Sequence, residues 1–108
     1  MSADLLRRAA AKLREHAEKA SGGDWDADGT ELYAENGAIW IGQMDGDEKE
    51  GVANASLAAL MHPPVALALA AAMDEVAVGI EYDPMLLAAF GYAELIAVAR
   101  AVLREEAS

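Results

Sequence analysis

Asp24, Asp26, Asp28 and Glu35, with Gly29 among them, have the spacing of a calcium-binding loop in the stretch DWDADGTELYAE. Carboxylates at loop positions 1, 3, 5 and 12 would surround a hard cation with oxygen, and a glycine at position 6 would allow the sharp turn. The surrounding residues argue against that chemistry. Such a loop needs a helix entering and a helix leaving, because the last glutamate is presented from the exiting helix. Here Gly22-Gly23 separate Asp24 from any earlier helix, and Asn36-Gly37 and a β-rich run follow Glu35. Loop position 8, usually apolar, is Glu31, and DGDEKEG offers no sister loop. With 19 acids in 108 residues, the spacing is easily met by chance. The sequence predicts no metal site and no cofactor.

Other reactive residues are sparse. His16 and His62 are the two histidines, far apart in sequence; the first reads as a helix-surface residue and the second as part of a helix junction. Ser56 precedes His62 by six residues without a nucleophile elbow or an orienting third member. Gly22-Gly23 lack the strand, the helix and the lysine of a phosphate loop. The absence of cysteine excludes thiolate chemistry and disulfides. No catalytic residue is assigned, and the chain is read as a non-enzyme. Trp25, Tyr33 and Trp40 are the candidate binding residues: they gather around one predicted hairpin, capping the edge of the core or offering an aromatic patch to a partner or small ligand.

Charge narrows the choice of partner. The formal net charge is −11, which argues against direct binding to nucleic acid. Between Asp24 and Glu50 nine acids (Asp24, Asp26, Asp28, Glu31, Glu35, Asp45, Asp47, Glu48 and Glu50) face one base, Lys49. That block reads as a solvated region, with a docking face for a basic partner as the sharper alternative.

The positioning elements follow from periodicity. Ser2–Ala20 is predicted as a helix with Leu6, Ala9, Ala10, Leu13, Ala17 and Ala20 on one face, stopped by Ser21-Gly22-Gly23. ELYAE and AIWIGQM flank Asn36-Gly37, a two-residue hairpin turn with positive φ at both positions. That register sets Ala34 opposite Ile39, Tyr33 opposite Trp40 and Leu32 opposite Ile41, with Leu32, Ala34, Ile39 and Ile41 toward the helices. A glycine-rich loop follows, then a short helix capped by Asn54. Next comes a helix opening at Pro63-Pro64 and ending at Gly79, and a last helix from Asp83-Pro84 to about Glu105. Asp74 and Glu75 interrupt the low-charge stretch from Pro63 to Ile80, so it reads as a soluble-core helix rather than a membrane span. The expected fold is α+β in a single domain, residues 1–108: an N-terminal helix, a β-hairpin and three helices with an apolar C-terminal one.

On a helical wheel the last of these helices is apolar all round. Leu95 and Val98 fall opposite Met85 and Ile96, so one group should meet the core and the other a second copy. Phe90, Leu95, Ile96, Val98 and Val102 are the candidate interface, and a homo-oligomer, most simply a homodimer, is expected. Arg7 and Arg8 are not followed by the apolar run of a secretory signal, which predicts a cytoplasmic protein.

Two blocks, LREHAEKASGGDW (Leu13 to Trp25) and VANASLAALMHPPVALALAAAMDEV (Val52 to Val76), resemble the Ead-like small bacteriophage and prophage proteins and their actinobacterial relatives. Those carry a first helix ending in an A-T-P-G-P-W-like stretch, a short β segment and an A-x-x-I-A…P…V-L-A-L helix pair. ASGGDW keeps Ala20, Gly23 and Trp25 but neither proline, whereas LAALMHPPVALAL keeps the second block. The resemblance spans about two-thirds of the chain and implies a phage or prophage accessory protein with no catalytic residues, meeting a host or defence protein in the cytoplasm of a bacterial host. Two further functions stay open: an acidic nucleic-acid mimic occupying a basic host protein, and an oligomer that sequesters a small molecule.

Overall fold

The computed structural model describes residues 2–20, 22–35, 37–45 and 47–104. The fold is mixed α+β and mostly helical, in the order α1 (Ser2–Lys19), β1 (Asp26–Asp28), β2 (Glu31–Ala34), β3 (Ile39–Gln43), α2 (Glu48–Leu60), α3 (Pro63–Tyr82), α4 (Met85–Phe90) and α5 (Ala93–Leu103). The chain forms two compact units: Met1–His16 with Leu67–Ser108, and Ala17–Ala66.

The first unit is helical. Its core joins Ala3, Leu5, Leu6, Ala9 and Ala10 of α1, Ala70, Met73, Ala77 and Ile80 of α3, and Ala99 of α5. The α3 residues recur at i, i+3, i+7 and i+10, one stripe of a 3.6-residue helix. Leu6 and Met73 are the largest fully buried side chains. Around this core, Arg7 pairs with Glu81, and Arg14 with Asp74.

Two helix ends differ from expectation. Gly79 does not stop α3, which continues to Tyr82. Gly79 keeps a negative φ inside the helix, and a Cβ there would meet only Leu86 Cδ1 at an ordinary 3.5 Å, so this glycine is an interior residue rather than a terminus. The last helix is two helices, because Gly91 (φ 73°) and Tyr92 (φ 52°) are left-handed. Gly91 N–H donates to Leu87 O at 2.8 Å, closing α4 as a glycine at a helix end does. Asp83, the expected cap, accepts from Met85 N–H through its side chain at 3.1 Å.

The second unit is a three-stranded antiparallel sheet, β1-β2-β3, with α2 on β1 and β2. The strand β1 adds to the expected hairpin. Asp28 pairs with Glu31 across Gly29-Thr30, and Gly29 has φ +61°, a glycine-led two-residue turn. Between β2 and β3 the expected pairs Ala34–Ile39 and Tyr33–Trp40 form, but Leu32 lies opposite Gly42. Ile41 is the extra residue of a bulge, which removes the expected Leu32–Ile41 pair. Gly37 has φ +91° as expected for its turn, and Glu35 is also left-handed at φ 51°. The matching expectation for Asn36 lies outside the described residues. Leu32 and Ala34 are buried, while Ile39 remains exposed on the strand that α2 does not cover.

The helix α2 begins six residues before the expected cap, Asn54. Asp47 is the cap instead: its Oδ1 accepts from Glu50 N–H at 2.8 Å, with acids filling the first turn. Asp47→Ala should cost about 1 kcal/mol, read as a lower midpoint in urea unfolding at unchanged slope, whereas Asn54→Ala should change little. Equal effects of the two substitutions would contradict this start of α2.

Candidate interaction surfaces

The stretch with calcium-loop spacing is the β1–β2 hairpin. Asp26 and Asp28 alternate along a strand, Glu31 and Tyr33 along its partner, and Glu35 is a turn residue from which no helix departs. Among the described residues, no three His, Asp or Glu side chains converge as metal ligands. The pairing puts Asp26, Asp28, Glu31, Tyr33 and Trp40 on one face of the sheet and Ala27, Leu32 and Ala34 on the other. Tyr33 Oη donates to Glu31 Oε2 at 3.0 Å; that bond to Glu31, with the nearby charge of Asp28, holds the phenol above its ordinary pKa.

The three aromatics read as binding residues are placed differently. Tyr33 and Trp40 are a cross-strand pair, half-buried and exposed respectively. Trp25 precedes β1, and its backbone N–H donates to His62 Nδ1 at 3.1 Å. His62 thus joins the α2–α3 junction to the start of the sheet, with Asp24 Oδ1 3.9 Å away. His16 and Ser56 are exposed on α1 and α2.

Among the described residues, each unit has a cleft, and the two are lined by side chains of opposite charge. In the sheet unit a cleft of about 590 Å³ is lined by the carboxylates of Asp28, Glu31, Asp45 and Glu48, with Met44 and Val52. In the helical unit a groove of about 340 Å³ carries Lys12, His16 and Arg104 beside Leu13 and Val102. Arg104 closes the C-terminus of α5, where a cation complements the helix dipole; an anion there would meet the outward carbonyls of that end. Of the 19 acids, ten lie in Ala17–Ala66 with only Lys19 and Lys49 as bases, so the sheet unit carries most of the net charge.

The candidate interface residues divide. Leu95, Ile96 and Val102 pack against the core of their own unit, with Ala99 buried between them, while Phe90 and Val98 are exposed. The wheel drawn through one continuous helix had put Leu95 and Ile96 on opposing sides. Within α5 the two are consecutive residues about 100° apart, at i−4 and i−3 from the buried Ala99, so both flank the buried stripe and neither is a clean surface probe.

α3 also carries apolar residues on a second, exposed face, with Glu75 among them. Opposite its buried stripe lie Leu67, Ala71, Val78 and Tyr82, all exposed, with Tyr82 92% exposed. This is the one helix among the described residues long and apolar enough to cross a membrane by length and composition, and 22% of that window is buried. It is therefore a core helix along one stripe only. Compared with protein-family models, curated proteins and solved structures, the chain matches none.

Proposed function

We propose that this protein acts by binding rather than catalysis, as a homo-oligomer whose protomers meet on the outward stripe of α3. The observation that carries this reading is the second apolar face of that helix. Its own unit covers only one stripe, and the exposed Leu67, Val78 and Tyr82 on the other side leave apolar surface that association would bury. Ala71, Val78 and Tyr82 recur at i, i+7 and i+11 on this face with the exposed Glu75 among them, and a twofold axis can close the apolar residues against themselves with Glu75 left at the solvent edge. The exposed Phe90 and Val98 offer further apolar surface on α4 and α5. The two sequence blocks support a setting for this activity: a phage or prophage accessory protein that engages a host or defence protein in a bacterial cytoplasm.

Sedimentation velocity at micromolar concentration tests the oligomer. The unmodified chain should sediment as a dimer. Val78→Lys with Tyr82→Ser should weaken association by at least about 2 kcal/mol, roughly 30-fold in Kd, while leaving the melting transition of the monomer intact. A monomeric unmodified protein would overturn the reading, as would co-sedimentation with phospholipid vesicles that the same two substitutions abolish.

A further inference from the structure

We infer that the outward face of α2 is a docking surface for a basic amphipathic helix of a partner protein. This surface belongs to the other unit and does not depend on self-association. Gly51 and Ala55 mark the buried side of α2. On the opposite side Ala53, Leu57 and Leu60 recur at i, i+4 and i+7, with Met61 at the C-terminal cap, and all four are exposed. Leu57 is 61% and Leu60 70% exposed. An i, i+4, i+7 apolar stripe is the pattern by which one helix anchors on another.

Charge identifies the occupant. Glu50 stands on the stripe side of α2, two turns or about 10 Å before Leu57. The acidic cleft lies at the same N-terminal end, toward the sheet side of α2, with Glu48 and Val52 in its lining beside Asp28, Glu31 and Asp45. One helix thus presents an apolar C-terminal half and a net acidic N-terminal end, where Asp47, Glu48 and Glu50 outnumber Lys49. Its last turn carries no base. The complement is a helix with leucine-like anchors on one face and lysines or arginines placed to reach the acidic end of α2. A second copy of this chain is disfavoured, because two units with ten acids against two bases would repel. Nucleic acid and anionic lipid are disfavoured by the same sign.

The test uses the full chain and a fluorescent peptide of about four helical turns, built from leucine, alanine and lysine with a single leucine stripe. A scrambled peptide of identical composition serves as the comparison. Anisotropy should show the striped peptide binding at least about tenfold tighter than the scrambled one, with affinity falling as salt rises from about 50 to about 200 mM. Leu57→Ser with Leu60→Ser should remove that tenfold preference. Asp45→Asn with Glu48→Gln should keep the preference but flatten the salt dependence. Circular dichroism should stay unchanged in both variants, since all four residues are exposed. Equal binding of the two peptides, or full binding by the Leu57/Leu60 variant, would overturn the proposal. So would association with zwitterionic vesicles that the striped peptide fails to displace. The Val78/Tyr82 variant should bind the striped peptide normally, so failure of self-association and failure of this surface are separable.

Discussion

Leu6→Ala and Met73→Ala should each destabilise the helical unit by about 3 kcal/mol, with the double variant failing to fold cooperatively. The two side chains are the largest that are fully buried, and six of the other eight buried residues of that core are alanines, with larger side chains only around its margin. Truncation removes apolar burial and leaves a cavity as well. The cavity persists because an alanine neighbour has no side chain that can swing in to fill it. Leucine or methionine to alanine costs roughly 2 to 5 kcal/mol in cores, and a site that cannot collapse belongs in the upper part of that range. Urea unfolding followed by far-ultraviolet circular dichroism measures this. Leu57→Ala, on the exposed face of α2, is the internal comparison and should shift stability by less than about 0.5 kcal/mol. A loss below about 1 kcal/mol at Leu6 or Met73 would show that these residues do not form the core.

Gly51→Ala should destabilise the sheet unit by about 1 to 3 kcal/mol, against the usual sign for such a change in a helix. Replacing a helical glycine by alanine ordinarily gains up to about 1 kcal/mol. Here a Cβ would lie 2.9 Å from Thr30 Cγ2 and 3.1 Å from Met44 O. The threonine methyl is a small obstacle. The Met44 carbonyl is backbone, and its residue is held by a 2.8 Å bond from Met44 N–H to Thr30 O. Overpacking of this kind outweighs the propensity gain. Thr30→Ser separates the two contacts, because it deletes the methyl but keeps the Oγ that accepts from Gln43 Nε2 at 3.1 Å. Gly51→Ala in the Thr30→Ser background should therefore cost less than in the unmodified chain, without becoming neutral. A more stable Gly51→Ala variant would mean that α2 does not approach Thr30 and Met44 this closely.

How legible the fold was depended on whether the deciding signal was local. The first helix was readable because Leu6, Ala9 and Ala10 repeat at helical spacing against charged residues on the other face. The Tyr33–Trp40 pair was readable because a two-residue turn fixes the register of the residues nearest to it. One step further along, the Ile41 bulge slipped the register, and nothing local announces a bulge. Asp47 with Glu50 three residues later was a legible helix start, masked by the glycines and charges around it. Gly29-Thr30 was a legible turn, hidden inside the spacing of a calcium loop. Gly79 and Gly91 show the limit of the residue type itself. The same amino acid packs inside one helix and ends another, and only its neighbours in space distinguish the two roles.

The sequence by itself determined the elements and the distribution of charge, because turns, caps, periodicity and ionisable groups are properties of short stretches. It placed nine of the 19 acids between Asp24 and Glu50 against one base, and nine acids against six bases in the stretches that form the helical unit. It did not determine which faces of the helices are inside. In α3 both sides carry apolar residues: Ala70, Met73, Ala77 and Ile80 on one, and Leu67, Ala71, Val78 and Tyr82 on the other, with Glu75 among the latter. Hydrophobic burial is non-directional, so either stripe could have formed the core on local grounds. The tertiary structure decided between them by gathering α1 and α5 around the first stripe, and so left the second uncovered. Leu95, Ile96 and Val102 of α5 pack on that same core, because burial rewards whichever face the folded chain can enclose.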